Sequence, residues 1–433
     1  MTNSAPTSPP IAIACGGTGG HLFPGLAVGD LLVRRGCAVM LLISPKPVDQ
    51  EAVKTVSGME IVTLPAVGLE RGGKIAFVRG FTRAYRAARR RFQPRPPQAV
   101  LAMGGFTSAP PILAARRLGA RTFLHESNTI PGRANRWLSW IVDRAFVGFP
   151  SAAAHLHNRC VTVTGTPVRP QFRPRDAALC RTALGLDPSR PVLLVMGGSQ
   201  GARGLNELLV RSLPLLANQL PDLQWLHLTA TGDTGQVAQA YANLKLKAVV
   251  HPFFASMELA LGAATVALSR SGASSLAELA AMRVPAVLVP YPAATDNHQF
   301  HNARALEATG AARLLEQNSA TPEILARLLS DLVRQPAARE NMQHALAQWH
   351  APQAAQQIAD LMLEGVGVEA RTPTGMDSAP MTAPGLPARD AGNHSPGSGP
   401  SRGCRLQVGD LFPTPARPGR VRPEAPAGMT HPT

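Results

Sequence analysis

No run in the 433 residues approaches the roughly 18 consecutive apolar positions of a membrane-spanning helix, so a transmembrane reading is excluded at the outset. Residues 1–10 lack the charged start and apolar stretch of a secretory signal, which leaves the cytosol as the expected compartment. Cysteine is sparse: Cys15, Cys37, Cys160, Cys180 and Cys404 are odd in number and never in C-x-x-C spacing, so neither a disulfide framework nor a zinc site is indicated. Acidic residues are under-represented, 27 Asp and Glu against 43 Lys and Arg, giving a formal charge of +16 that calls for an acidic partner. Aromatics make up only 5% and are not interleaved with the arginines, which argues against nucleic acid and for a phosphate-bearing substrate or an anionic membrane. No D-x-D pair occurs, and His298 and His301 lack a third ligand, so no metal and no cofactor is expected.

What is present is glycine in turns. The stretch IAIACGGTGGHLFPG, residues 11–25, reads as the end of a buried strand, a glycine turn, and a helix expected from Phe23 to Arg35. Glycines there permit positive φ and let backbone N–H groups converge on an anion at the helix N-terminus. No Lys-Ser or Lys-Thr follows, as a P-loop requires, and the next strand ends in Ser44 where a dinucleotide fold wants an acid. His21, at the mouth of the turn, could take a proton from a hydroxyl.

Strand and helix patterns alternate from residue 11 to about 165, and again from 191 onward after a Pro/Arg-rich linker. The expected organisation is α/β, two doubly wound Rossmann-like domains facing each other across a cleft. Residues 1–10 are expected to be disordered, 11–165 to form an N-terminal domain, and 166–190 a linker and domain entry. Residues 191–344 follow as a C-terminal domain and 345–370 as a closing helix. The tail 371–433, with 12 Pro and 9 Gly in 63 residues and no apolar periodicity, cannot bury enough surface to offset its ordering entropy. Further glycine turns occur at MGGFTSAP (103–110) and GGSQGARG (197–204), and open α/β sheets bind ligands beyond the carboxyl ends of such strands.

Other side chains fit the same chemistry. Ser199 and the neighbouring amides sit at an expected helix start, a second phosphate site within reach of Arg169. Glu278 follows the small-residue turn 271–275, where its carboxylate could accept two ribose hydroxyls, although the helix dipole alone also favours an acid there. Asp296, Asn297, His298, Gln299 and Asn302 form a polar cluster suited to sugar hydroxyls. In residues 78–92, Val78, Phe81, Tyr85, Ala88 and Phe92 make a stripe flanked by Arg79, Arg83, Arg86 and Arg90. Such a helix either rests on an anionic bilayer or packs an ordinary core stripe under a solvated basic face.

Taken together, GGTGGHLFPGLAV, MGGFTSAP, HESN, TPVR, GGSQGARGLN, RSGASSLAE and DNHQFHNA resemble, in order and spacing, the N-acetylglucosaminyltransferases of bacterial cell-wall synthesis (the MurG family), which have the GT-B fold. The resemblance spans about residues 11–363. It implies inverting transfer of N-acetylglucosamine from its UDP donor to the 4-hydroxyl of a muramyl-pentapeptide on undecaprenyl diphosphate, by a peripheral protein on the cytoplasmic face of the inner membrane. Under it, Thr18, Gly19 and Gly20 with Gly104 and Gly105 face donor sugar and acceptor diphosphate, and His21 is the candidate base, with Glu126 as the alternative. Asn128 and Gln299 would hold the sugar, Ser199 and Arg169 the UDP phosphates, and Phe254 would border the uracil. Ala273, Ser274, Ser275, Leu276, Ala277 and Glu278 would form the nucleotide loop, Glu278 taking the ribose. The membrane reading of the arginine-flanked helix is then the favoured one, through Val78, Phe81 and Tyr85. Three positions depart from the family pattern: Ser127 for Gln, Thr166 for Asn, and Ser274-Ser275 for Leu-Thr. A UDP-sugar 2-epimerase and a non-catalytic membrane scaffold are the rival readings.

Overall fold

The computed structural model of the protein describes residues 8–17, 19–54, 56–65, 73–198, 203–230 and 232–367. The first sheet contains β1 (Pro10–Ala14), β2 (Ala38–Ile43), β3 (Met59–Thr63), β4 (Ala99–Ala102), β5 (Arg121–Glu126), β6 (Arg144–Val147) and β7 (Val161–Val163), in the order β3-β2-β1-β4-β5-β6-β7. The second contains β8 (Val192–Met196), β9 (Gln224–Leu228), β10 (Ala248–His251), β11 (Val266–Ser269), β12 (Ala286–Leu288) and β13 (Arg313–Leu314), in the order β10-β9-β8-β11-β12-β13. Neighbouring strands run parallel throughout. Most of the central strands are buried along their whole length because helices cover both faces, which is why they read as apolar runs rather than alternating ones.

The first domain carries α1 (Gly19–Arg34), α2 (Pro47–Ala52), α3 (Gly73–Phe92), α4 (Ala109–Arg116) and α5 (Arg133–Leu138). The second carries α6 (Ala177–Ala183), α7 (Arg203–Gln219), α8 (Thr234–Asn243), α9 (Met257–Ala263), α10 (Ala273–Met282), α11 (His298–Glu307), α12 (Pro322–Arg334) and α13 (Pro336–Trp349). In each sheet the strand order reverses beside the first strand of the domain. The crevices at these switch points, where open α/β sheets take ligands, lie between β1 and β4 and between β8 and β11. The glycine turns after β1 and β4 and the small-residue turn after β11 therefore open toward one cleft.

The expected single closing helix is two. Pro352 has no N–H to continue α13, and the chain turns into α14 (Ala354–Gly365), which leaves the second domain and packs on α1. Ile358, Ala359, Met362 and Leu363 are within 2% of full burial in the same cluster as Ile11, Ile13 and Leu22, and Asp360 reaches the buried Arg35 guanidinium at 2.5 Å. Full burial of each of the three large side chains stabilises by about 1.5–3 kcal/mol. Truncation after His350 should accordingly unfold or strongly destabilise the first domain, read as a loss of its cooperative melt while the melt of the second domain remains.

The apolar stripe of α3 faces mainly inward. Ala84, Ala88 and Phe92 are buried, and Phe81 and Tyr85 pack against the same core, because one face of the first sheet needs α3 and α4 as its cover. Phe81 and Tyr85 are therefore core-facing, contrary to the bilayer-resting expectation. The exposed large apolar residues of α3 are Ile75 (70%) and Val78 (59%), beside the exposed Arg79, Arg83, Arg86 and Arg90. Among the described residues no helix is long and apolar enough to cross a membrane. The segments 1–7 and 368–433, most of the two stretches expected to be disordered, lie outside the described residues.

Candidate active site

The turn after β1 is built on glycine. A Cβ on Gly16 would lie 2.3 Å from the Ser44 amide nitrogen, and Gly17 has a φ of +118°, so neither position admits a side chain without strain. Asp49, fully buried, pins the turn by accepting from the Gly17 amide at 2.7 Å and from the Ser44 hydroxyl at 2.5 Å. Thr107 donates to the Gly16 carbonyl at 2.7 Å and ties the turn to the segment after β4. Thr18, expected in this turn, lies outside the described residues.

The helix starts at Gly19, four residues before the expected Phe23, so His21 belongs to the first helical turn rather than to the loop ahead of it. First-turn amides have no intrahelical partner in any helix and stay available to a ligand. Pro24 then removes the N–H that would have met the Gly20 carbonyl four residues back. The second domain supplies the substitute: the Ser274 hydroxyl donates to the Gly20 carbonyl at 3.0 Å. Ser274 lies in the first turn of α10, and the preceding Gly272 provides no side-chain cap. Residues 273–278 are thus helix rather than loop, and the N-termini of α1 and α10 face each other across the cleft. Two positive dipole ends with uncommitted amides make a site for an anion.

The His21 ring lies on Gly104 and Gly105, the glycines after β4. A Cβ on Gly104 would sit 2.6 Å from His21 Cε1 and 2.8 Å from Nδ1. Both glycines have positive φ, +122° and +78°. Burial pushes the His21 pKa below its ordinary value and His298 pushes it further, against the opposing pull of Glu126, the Met103 backbone and Asp49. At neutral pH the imidazole is uncharged and keeps a lone pair.

Glu126, the alternative base, has both oxygens engaged. Oε1 accepts from the backbone and side-chain amides of Asn128 at 2.8 and 3.0 Å, and Oε2 from the Gly132 amide at 3.1 Å and the Asn135 side chain at 2.8 Å. A carboxylate at 1% exposure with four N–H donors holds the loop from 127 to 135 in shape. Beside it, burial pushes the pKa of His125 down to about 4, so the ring is neutral; its Nε2 donates to the Gly165 carbonyl at 3.0 Å.

Arg169 stands over the ring of Phe23 from α1 (4.6 Å) and of Phe172 (5.1 Å), with its Nε buried and unpartnered. Its charge is felt by Glu278 in the second turn of α10, whose carboxyl is nevertheless pushed up to about 7 by burial, with Glu258 adding to the rise. Gln299, in the first turn of α11, accepts from the Tyr291 amide through its side chain at 3.0 Å, and its carbonyl accepts from Ser271 at 2.8 Å. His21, Gly19, Gly20, Gly104, Gly105, Glu126, Asn128, Ser274 and Gln299 thus gather around the cleft with Arg169 and Glu278. Phe254 stands apart, stacked on His251 (5.5 Å) beyond β10, three strands from β11. Ser199 lies outside the described residues.

Comparison with known proteins identifies the family and the fold. The glycosyltransferase family 28 N-terminal domain matches residues 11–147 and the family 28 C-terminal domain residues 192–358. The chain belongs to glycosyltransferase family 28. A protein of Anaeromyxobacter dehalogenans (strain 2CP-C), called UDP-N-acetylglucosamine--N-acetylmuramyl-(pentapeptide) pyrophosphoryl-undecaprenol N-acetylglucosamine transferase, is 35% identical over 389 residues, 87% of this chain and 98% of that one. A protein of the same name from Xanthomonas oryzae pv. oryzae (strain MAFF 311018) is 37% identical over 376 residues, 85% and 82% of the two chains. The crystal structure of MurG from Acinetobacter baumannii superposes with a TM-score of 0.65 at 29% identity, over 82% of this chain and 99% of that one. A putative UDP-N-acetylglucosamine 2-epimerase from Listeria monocytogenes shares the fold alone, at 15% identity and a TM-score of 0.62.

Of the four residues that depart from the resembled pattern, three have a close local neighbour. Ser127 places its hydroxyl 3.2 Å from His125 Nδ1, Thr166 packs so closely that a Cβ on Gly148 would meet its Oγ1 at 2.4 Å, and Ser274 caps the Gly20 carbonyl. Other residues that sequence reasoning left without a role have defined contacts. Arg270, at 5% exposure, donates to the carbonyls of Val289 and Pro290 at 3.0 and 3.1 Å and to Gln317 at 2.7 Å. Gln317 in turn abuts Gly204 at the start of α7. Asn206 donates to the Thr229 carbonyl and to Asp233, both at 3.0 Å, and so fixes α7 against the loop after β9. Arg270 opens RSGASSLAE and Asn206 closes GGSQGARGLN, so membership of a motif was the signal available for each.

Proposed function

We propose that this protein transfers N-acetylglucosamine from UDP-N-acetylglucosamine to the 4-hydroxyl of an undecaprenyl-diphosphate-linked N-acetylmuramyl-pentapeptide, inverting the anomeric carbon, in peptidoglycan synthesis. The observation that carries the chemistry is the meeting of the α1 and α10 N-termini beside a neutral His21. The names of the relatives supply the substrates. As the acceptor oxygen bonds to the anomeric carbon, the bond to the donor phosphate breaks and UDP leaves with the electron pair. Its growing charge falls where helix amides and Arg169 lie, a fixed electrostatic environment of the kind that stabilises transition states. His21 takes the hydroxyl proton. Glu126, with four donors already bound, shapes the loop that presents Asn128, and Asn128 and Gln299 hold the sugar.

The test is transfer of labelled sugar from UDP-N-acetylglucosamine to a short-chain lipid-linked muramyl-pentapeptide, with and without EDTA. Transfer that survives EDTA is the expected result. Consumption of the donor without acceptor would instead favour the epimerase reading, and folded protein that binds UDP but transfers nothing would remove the transferase.

Glu278 gives the reaction a pH signature. Only its ionised form accepts both ribose hydroxyls, and with a pKa of about 7 the ionised fraction rises about tenfold between pH 6 and 8. The KM for the donor should fall by up to about tenfold over that interval, and Glu278→Gln should flatten the dependence.

We further assign the protein to the cytoplasmic face of the inner membrane, held peripherally by Ile75 and Val78 with the arginines of α3. Each basic side chain at an anionic surface is worth about 1 kcal/mol. Arg83→Glu with Arg86→Glu should weaken sedimentation with phosphatidylglycerol vesicles by at least about tenfold and leave transfer to a detergent-solubilised acceptor unchanged.

A further inference from the structure

The two domains touch through a hydrogen-bond chain whose polarity has no alternative. Asn302, on α11 of the second domain, is completely buried, and its side chain reaches both domains. Its Oδ1 accepts from the backbone N–H and the hydroxyl of Thr129, both at 2.9 Å, in the first domain. Its Nδ2 donates to Asn128 Oδ1 at 3.0 Å in the first domain and to the Ser271 carbonyl at 3.1 Å in its own.

Neither amide can turn over. The Thr129 backbone N–H only donates, so Oδ1 of Asn302 must face it; the Ser271 carbonyl only accepts, so Nδ2 must face that. Asn128 is fixed from the other side, because the Glu126 carboxylate accepts from its Nδ2 at 3.0 Å and would repel its oxygen. The amide of Asn128 is therefore oriented by Glu126 from its own domain and by Asn302 from the opposite one. Separating the domains removes the second constraint and leaves the Asn128 amide held on one side.

We propose that Asn302 is a positioning residue through which closure of the second domain orients Asn128 for the donor sugar. The inference rests on the reading of Asn128 as a sugar-holding side chain. A second contact brings the same elements together: Asp296 accepts from Arg136 at 2.7 Å, with Arg133 at 3.8 Å, and both Asp296 and Asn297 take the left-handed backbone that aims this turn at the first domain. Arg136 and Asp296 are part-exposed, so that pair guides approach, whereas the dry Asn302 fixes register. On the UDP side Asn302 touches only the Ser271 carbonyl ahead of α10, whereas on the sugar side it holds the Asn128 amide itself, so its loss should weigh more on the sugar than on UDP.

The experiment compares the full-length wild type with Asn302→Ala, Asn302→Asp and Thr129→Val. Binding of UDP and of UDP-N-acetylglucosamine is measured by calorimetry, transfer kinetics by the labelled-sugar assay, and domain closure by small-angle scattering with saturating donor. Asn302→Asp keeps the acceptor for Thr129 but sets a carboxylate against Asn128 Oδ1 and the Ser271 carbonyl. Both Asn302 variants should bind UDP within about twofold of wild type yet lose about tenfold or more in the ratio of donor to UDP affinity, with a larger radius of gyration and a raised donor KM. Thr129→Val, which keeps the backbone donor and guards against a folding failure at 302, should move the same ratio by about two- to fivefold. Equal loss of UDP and donor binding would reduce Asn302 to a structural residue, and unchanged scattering with an unchanged ratio would overturn the proposal. Wild type that binds UDP but shows no added dependence on the sugar would remove the reading of Asn128, and the scattering of Asn302→Asp would then judge the clamp alone.

Discussion

Replacing His21 by alanine should lower kcat for sugar transfer by about 10²- to 10⁴-fold, the range that a positioned general base contributes. Donor affinity should change little, since the imidazole sits on the first-domain side of the cleft against Gly104 and Gly105. Its depressed pKa has a consequence for the pH profile. A base that is already uncharged at neutral pH stays competent as the medium becomes mildly acidic, so the acidic limb of kcat should lie below the ordinary histidine value. Glu126→Gln supplies the contrast. It puts an NH₂ group against donors from Asn128, Gly132 and Asn135, which should disorder the loop they share. That change should appear in the melting temperature and the donor KM as well as in kcat. Single-turnover transfer together with thermal denaturation separates the two cases: a kcat loss with an unchanged melt for His21→Ala, a loss spread over all three for Glu126→Gln.

Gly104→Ala should cost about 10²-fold in kcat without adding or removing any titratable group. Two penalties coincide there. A φ of +122° is one that side-chain-bearing residues rarely adopt, which costs on the order of 1–3 kcal/mol. The new methyl would also stand 2.6 Å from His21 Cε1, inside contact distance, so the ring must move by a large fraction of an ångström from its place. Misplacing a catalytic group by about 1 Å is enough for a loss of about 10²-fold. Gly105→Ala is the internal control, since its methyl would meet the ring no closer than 3.7 Å. It should lose stability through its backbone while keeping kcat within about fivefold of wild type. Comparable kcat losses in both variants would show that backbone strain, rather than displacement of His21, governs the effect.

The strands were the most legible part of the chain because parallel strands covered on both faces leave a continuous apolar run. β4, AVLA and buried at every residue, is such a run. β13 escaped for the opposite reason: Arg313–Leu314 is two residues long and begins on an exposed arginine. The start of α1 was misplaced because glycine is read as a turn, yet at a helix N-terminus it costs little and leaves amides open to a ligand. The α3 stripe misled in another way. Periodicity identifies an apolar face but not what covers it, and among the large apolar side chains described in α3 Ile75 and Val78 are the exposed ones. In the site, motif order found His21, Gly104 and Glu126, but it could not tell a base from a scaffold. That distinction depends on Asn128, Gly132 and Asn135 filling every acceptor position of one carboxylate. Asn302 lay inside a recognised motif, and its role depends wholly on two domains being brought together.

The return of α14 to α1 changes what kind of object the second domain is. Among the described residues the path starts in the first domain, leaves it near residue 165, and comes back near 350 to pack α14 on α1. Topologically, the second domain is an insertion within a single first-domain polypeptide, joined by two segments of chain rather than one. A single tether would let the inserted body swivel and wander. Two act as a two-pin hinge, favouring rotation about the line between the pins and resisting twist across it. The same arc would then bring Ser274 back to the Gly20 carbonyl and Asn302 back to Thr129 at each closing, so register is recovered by geometry and need not be searched for.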